Sequence, residues 1–257
     1  MKFSFFVAWR YFFSKKDVGI VHIISLISLI GISVSSMALL VVLSVFNGFT
    51  GVADKMLSFS YPDISIESRK GKTFSTNETD LNRLRAIEGV KHCEKVVKES
   101  VLMNCGERQT IVELWGVEKN YPRSSRMDTA MQIGDFDLGT AEEPKAVLGY
   151  ALTIETGLGR GAEKMRPFLK FCSPKSNMGS SFIPEENLNM QVAEYAGSFM
   201  TDGDMDRKAV FVPLKFAQDL LEYGNDEVTS LNITTDGRKK TDKVKKEIEK
   251  SVNRDLV

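Results

Sequence analysis

The spacing of apolar and polar positions divides this chain into two unlike parts. From Val18 to Ala53 there is no Asp, Glu, Lys or Arg, and Ile20 to Phe46 is dominated by Ile, Leu, Val and small residues. A helix rising about 1.5 Å per residue needs roughly 20 apolar residues to cross a hydrocarbon core about 30 Å thick, so the run predicts one transmembrane helix with its exit, residues 18–52. A cleaved signal sequence has an apolar region of only about 7 to 15 residues, and this run is about twice as long, which predicts an uncleaved anchor. Ahead of it, Phe3, Phe5, Phe6, Trp9, Phe12 and Phe13 alternate with Lys2, Arg10, Lys15 and Lys16. Rings at headgroup depth and cations beside lipid phosphates predict a short interfacial segment over residues 1–17.

Beyond residue 53 the period shifts to short strands broken by short helices. Tyr61–Ser68 alternates Ile64 and Ile66 with polar neighbours, as a half-buried strand does. Ser75–Glu88 reads as a cap and a helix with Leu81, Leu84 and Ile87 on one face, ended by Gly89. Strands are predicted at Val96–Met103 and Gln109–Val117, joined around Asn104-Cys105-Gly106, and at Ala146–Leu148, Arg166–Cys172, Met190–Phe199, Ala209–Val212 and Val228–Thr234. Gly149–Glu155 reads as a helical turn. Pro213 opens a helix with Leu214, Ala217, Leu220 and Leu221 in line and Gly224 at its end, and Thr241–Val252 is amphipathic through Val244, Ile248 and Val252. Helices interrupting antiparallel-type strands predict an α+β domain over residues 53–257, in two subdomains with an insert at about 119–212.

Charge gives this division a direction. The 34 basic and 34 acidic residues cancel, yet four of the basic and one of the acidic ones precede Asp54, leaving 30 and 33 for the rest. Asp54 and Lys55 offset one another after the span, so the positive flank predicts a cytoplasmic N-terminus and an outer domain outside the cytoplasm. The even balance disfavours nucleic acid as a partner, and the 42% hydrophobic content disfavours disorder. Within the span, Ser25, Ser28, Gly31, Ser35, Ser36 and Ala38 recur at spacings of three and four, and small residues let a second membrane helix approach closely. Ser28, Gly31 and Ser35 are the predicted packing positions.

Catalytic signals are sparse, and no catalytic, cofactor-binding or metal-binding residue is predicted. His22 and His92 form no zinc-type motif, and Gly157-Leu-Gly-Arg-Gly161 lacks the Gly-Lys-Ser/Thr ending of a phosphate loop and reads as a turn. Any ATP hydrolysis is therefore expected on a separate chain. Cys93, Cys105 and Cys172 are odd in number and follow no disulfide framework; buried free thiols are expected, with a Cys93–Cys105 pair as the alternative. The Lys- and Glu-rich stretch Arg238–Lys250 reads as a solvated helix face.

Several segments, in order, resemble one family. Arg10-Tyr11, Ile24-Ser25, Ile30-Gly31-Ile32 and above all Val42-Leu43-Ser44-Val45-Phe46-Asn47-Gly48-Phe49 resemble the start of the LolC/LolE permeases of lipoprotein-releasing ABC transporters. Leu114-Trp115-Gly116-Val117, Val147-Leu148-Gly149 and Val210–Leu221 resemble later segments of their periplasmic domain; Arg160-Gly161-Ala162 departs from it, since a Gly-Asp pair is common there. The resemblance spans nearly the whole chain but only the N-terminal part of such a permease, so the family's C-terminal transmembrane helices are expected to be missing here.

What the resemblance implies is a MacB-like periplasmic core domain of α+β class behind a single transmembrane helix, in the bacterial inner membrane. Its implied partners are an ABC-type ATPase subunit, a second permease subunit, membrane lipid, lipoprotein cargo and a periplasmic lipoprotein chaperone. It also implies a hook-like hairpin that captures the chaperone, which falls here on Ser173–Asn189, with Lys175, Met178, Phe182 and Ile183 as contact residues. Two other branches of the superfamily give alternatives: an FtsX-like regulator that activates a cell-wall hydrolase, and a MacB-like efflux permease. The latter would be expected to carry its ATPase ahead of the first span, where this sequence has only about 20 residues.

Overall fold

The charge-free run is helical from Ile20 onward in the computed structural model, which describes residues 2–12, 19–60, 62–158, 165–175, 187–201, 204–235 and 238–251. Helix α1 is Lys2–Phe12, where Phe5 and Trp9 stack with ring centroids 6.1 Å apart. Phe13, Lys15, Lys16 and Asp17 lie outside the described residues. Helix α2 is Ile20–Ser60, 41 residues, of which Ile23–Thr50 are long and apolar enough to cross a membrane. Those 28 residues rise about 42 Å, more than the roughly 30 Å of a hydrocarbon core. Every described side chain from Ile23 to Phe49 is exposed, and none of them is charged. Asp54 and Lys55 do not end it. Between Gly51 and Ser60 there is no proline, and one glycine costs a helix only about 1 kcal/mol.

The chain divides into two units, Met1–Asp54 and Lys55–Val257. In the second unit the described elements are β1 (Ile64–Glu67), β2 (Phe74–Ser75), α3 (Glu78–Arg85), β3 (Val90–Cys105) and β4 (Arg108–Val117). Then come α4 (Tyr121–Ser124), a 3-10 turn (Met127–Ala130), β5 (Met131–Gly134), β6 (Lys145–Gly149), α5 (Tyr150–Thr156), β7 (Phe168–Pro174) and β8 (Leu188–Phe199). The last are α6 (Met205–Lys208), β9 (Ala209–Pro213), α7 (Leu214–Leu221), β10 (Glu227–Val228), β11 (Ser230–Thr235) and α8 (Arg238–Ser251).

Six strands close on themselves in the order β3-β4-β9-β6-β8-β7 and back to β3. The β4–β9 and β6–β8 pairs are parallel and the rest antiparallel, giving the mixed sheet of an α+β domain. Strand alternation then sorts side chains inward and outward. Val97, Val101 and Met103 of β3, Val112 and Leu114 of β4, Leu148, Leu169, Phe171, Tyr195 and Val210 fill the interior. Helix α7 joins this core through Phe216, Ala217 and Leu220, with Phe171 and Phe216 edge to face at 5.6 Å. Its approach depends on Gly116: a Cβ there would stand 2.3 Å from Ala217 Cβ. On the outer side Val96, Trp115, Val117, Val147, Phe199 and Phe211 form a second core, covered by Tyr121, Met127, Phe136 and Leu138.

Strand β3 is longer than the ring is tall. Its N-terminal half pairs with β11, which pairs with β1, and this wing packs α3 and α8 over Ile66, Cys93, Leu231 and Ile233. Asn77 caps α3, its Oδ1 accepting from the Asp80 amide at 2.9 Å, and Leu81 and Leu84 are buried as the spacing predicts. The predicted turn after Asn104 is a two-residue hairpin in which Gly106 takes φ +59.

Three local expectations change. Pro213 ends β9 and caps α7 instead of starting it, and the helix stops at Glu222, which takes φ 59 before Gly224 is reached. The predicted strand Val228–Thr234 is split at Thr229, whose amide donates to Val96 O and whose Oγ1 accepts from the Lys98 amide at 2.7 Å. Cys93 and Cys105 sit on the same strand, twelve positions apart, and at about 3.3 Å per residue they cannot meet. All three thiols are free. The turn glycines 159 and 161 and Val252 lie outside the described residues.

Candidate functional site

The segment singled out as a hook is the connection of an antiparallel hairpin. Strands β7 and β8 pair from Phe168↔Glu194 to Pro174↔Leu188, and the Lys175 amide donates to Asn187 O at 2.9 Å. Residues 176–186 join the two strands; Met178, Phe182 and Ile183 therefore lie outside the described residues. Pairing of β7 with β3 stops at Cys172, and pairing of β8 with β6 starts only at Glu194. From Ser173 to Lys175 on one strand and Asn187 to Asn189 on the other, the ladder has no further strand beside it among the described residues.

The outer face at the base of this hairpin is apolar and open. Ile111, Leu102, Cys172 and Met190 stand in one row across β4, β3, β7 and β8, and Lys170 and Val192 share the next. Ile111 is 72% exposed, Phe168 70%, Val192 47% and Met190 39%. Residues opposite one another in a ladder project to the same side, so these four lie on one surface, with Lys170 among them and the Arg166–Glu194 ion pair (3.1 Å) at its border. Sequence reading passed over this surface. The available signal was that β7 and β8 carry apolar residues at both parities, Phe168 beside Leu169 and Val192 beside Ala193, where a one-sided strand would alternate.

Lys175 is half-buried at the base of the hairpin. Ser28, Gly31 and Ser35, three and four residues apart, share one face of α2 and all are exposed; a Cβ on Gly31 would meet nothing within 4 Å.

Buried ionisable groups gather elsewhere, where β3 meets α4. Ser124 Oγ donates to Glu94 Oε2 at 2.6 Å, and burial raises the Glu94 carboxyl, with Glu118 adding to the rise and the Ser124 bond and Arg85 opposing it. Burial likewise pushes the Cys93 thiol up to about 12, and the Tyr223 hydroxyl, beside Glu99, up to about 12. These shifts favour neutral, unreactive forms, the reverse of what an activated nucleophile requires. A cleft of about 930 Å³ at the ends of β4 and β9 is lined by both signs of charge, including Arg85, Lys119, Arg123, Asp128 and Asp135, and so selects no ligand by charge. Among the described residues no three His, Cys, Asp or Glu side chains converge as a metal site would require.

The model of the family described as the MacB-like periplasmic core domain matches residues 25–251. Two solved structures are similar to the chain at low identity. The periplasmic region of MacB from Actinobacillus actinomycetemcomitans is 10% identical, with 75% of this chain and 86% of that one covered, at a TM-score of 0.49. The extracellular domain of the noncanonic ABC-type transporter YknZ from Gram-positive bacteria is 13% identical, with 75% and 97% covered, at 0.46. No curated protein sequence matches the chain. Assignment rests on the family match, which reaches the superfamily and does not single out the lipoprotein-releasing branch. Since that match runs from the first turns of α2 to the end of α8, the chain belongs to the MacB-like periplasmic core domain family, an apolar membrane-type helix followed by the α+β outer domain of a transporter permease.

Proposed function

We propose that this chain is a membrane permease subunit of an ABC transporter that releases lipoproteins from the inner membrane to a periplasmic chaperone. The observation that carries the reading is the β7–β8 hairpin, which leaves the closed sheet at Cys172 and has the eleven residues 176–186 as its connection. A hairpin free of flanking strands offers backbone and side chains to a partner, and Met178, Phe182 and Ile183 supply apolar contacts for a chaperone built to hold acyl chains, with Lys175 at the base. Residues 119–212 form the insert that bears it. In this reading the N-terminus is cytoplasmic, an ABC-type ATPase subunit hydrolyses ATP, and Ser28, Gly31 and Ser35 pack α2 against a second permease subunit. The efflux reading has one observation in its favour, the MacB-like family match itself.

Affinity purification of the full chain from membranes, followed by photocrosslinking from position 182, tests the proposal. Crosslinks to a soluble lipoprotein carrier, with an ABC ATPase co-purifying, are expected. Crosslinks to a membrane-fusion adaptor would replace lipoprotein release by efflux, and a cell-wall hydrolase would replace both by regulation. Recovery without any ABC ATPase would sink the transporter reading.

A further inference from the structure

We propose that the outer sheet face at the base of the β7–β8 hairpin holds one acyl chain of lipid-linked cargo, the source of that chain resting on the lipoprotein release proposed for this protein. The face has relief. In the strand order β4-β3-β7-β8, Ile111 on β4 and Met190 and Val192 on β8 stand out, 72%, 39% and 47% exposed. Between them Leu102 and Asn104 on β3 are half-buried, and Cys172 on β7 is only 5% exposed. Raised outer strands with a lower middle make a shallow trough, and Phe168 stands at one end of it. On β7 and β8 the ladder runs from Pro174↔Leu188 to Phe168↔Glu194, six residues, which at about 3.3 Å each is roughly 20 Å.

Size separates the occupants. Ile111, Phe168, Met190 and Val192 leave on the order of 400 Å² of apolar surface in water, the size of a functional patch. A stable protein partner, a second copy included, needs about 800 Å² from each side, about twice what this face offers. A methylene group corresponds to roughly 30 Å², so a chain of about 15 methylenes offers about 450 Å² and matches the face. Length agrees, since one leaflet of a hydrocarbon core, the depth of one acyl chain, is about 15 Å.

Charge narrows the choice further. The ionised side chains at the border are paired with one another, Lys98 with Glu113 at 3.2 Å and Arg166 with Glu194 at 3.1 Å. Lys170, within the face, is exposed and has no ion-pair partner among the described residues. An ammonium group donates hydrogen bonds and accepts none, so it suits the carbonyl oxygen of an acyl ester at the head of the chain. A single cation is a poor match for an anionic lipid surface, which draws clusters of basic side chains. The face is also continuous with the free β7–β8 ladder beyond Cys172, where the proposed carrier is captured.

The test uses the full chain in lipid nanodiscs and a synthetic triacylated lipopeptide with a photoreactive diazirine near the end of one acyl chain. A parallel set of discs carries the same diazirine acyl chain on phosphatidylcholine instead. After irradiation, mass spectrometry maps the labelled residues. The lipopeptide should label Ile111, Leu102 and Met190. Ile111→Glu with Met190→Glu, both at exposed positions, should lower that labelling about ten-fold, and Lys170→Ala about three-fold. Ile154→Glu, exposed on α5 and outside these rows, should leave it unchanged. Labelling scattered over the domain, or insensitive to the trough substitutions, would overturn the inference. So would equal labelling from the phosphatidylcholine discs, which would make the occupant a bilayer lipid. The release reading fails separately: trough labelling without a carrier crosslink from position 182 would support the acyl site and reject handover. A carrier crosslink without trough labelling would overturn the acyl site alone.

Discussion

Phe211 is the position at which the closed sheet and its outer cover depend most on one side chain. It is fully buried on β9, and its ring lies 5.3 Å from Phe136, 5.3 Å from Phe199, 5.7 Å from Trp115 and 5.9 Å from Tyr121. Truncating a buried phenylalanine costs about 3–5 kcal/mol, and with four rings left around the void the upper half of that range is expected for Phe211→Ala. Phe211→Leu keeps much of the volume but loses the ring pairs, each worth about 0.5–1.5 kcal/mol and not additive, so about 2 kcal/mol is expected. Phe199 has one of these ring contacts, and Phe199→Leu should cost less than Phe211→Leu. Hydrogen exchange of the full chain in nanodiscs reads this locally: about 4 kcal/mol corresponds to a loss of protection approaching a thousandfold in β9 and in its ladder neighbours β4 and β6. If Phe211→Ala lowers protection there by less than tenfold, the account of the outer core is wrong.

Gly116→Ala places a methyl 2.3 Å from Ala217 Cβ and should cost about 1–3 kcal/mol, most of it recovered by adding Ala217→Gly, a coupling that a double-mutant cycle in chemical denaturation would show. Alkylation of the native chain should modify half-buried Cys105 first and Cys93 slowest, and non-reducing mass spectrometry should find no disulfide; a Cys93–Cys105 linkage would refute the shared-strand geometry. Glu94, raised from about 4.5 by burial, is favoured neutral in the fold, so its contribution to stability is full below pH 4.5 and falls as pH rises through its folded value. Glu94→Gln keeps an acceptor for Ser124 and should flatten that part of the pH profile and be the more stable form at pH 8; a Gln variant less stable than wild type at pH 8 would contradict this.

Local elements were legible in the sequence because their causes are local. The charge-free run, the Leu81 and Leu84 spacing after the Asn77 cap, and the turn at Gly106 each follow from residues within a few positions of one another. Closure of the six strands was not legible, since it depends on β4 meeting β9 and β3 meeting β7 across about 70 to 100 residues, and no period in the chain records who pairs with whom. The short pieces α4, β2, β5 and α6 escaped for a related reason: at two to four residues they have no period to detect, and tertiary contacts hold them.

The candidate surfaces divide along the same line. A loop rich in Pro, Ser, Asn and Gly between two strands is readable as a hairpin, and the β7–β8 ladder follows from it. The apolar row at its base is different in kind. Ile111, Met190 and Val192 lie on strands whose other face is also apolar, so composition alone assigns them to a core. Only the pairing of β7 with β3 shows that they sit on the outside of a closed sheet whose inside is already filled by Val112, Phe171 and Ala193. Helix α8 shows the same split: its lysines and glutamates read as a solvated face, as the exposure of Lys243, Lys246 and Glu249 bears out, while the Asp63–Thr235–Thr241 bonds that fix where in the domain it begins are not readable. Residue chemistry is written locally, but an element's address in the fold is not, and in this chain the address of α8 is set by a hydrogen bond reaching across 172 positions.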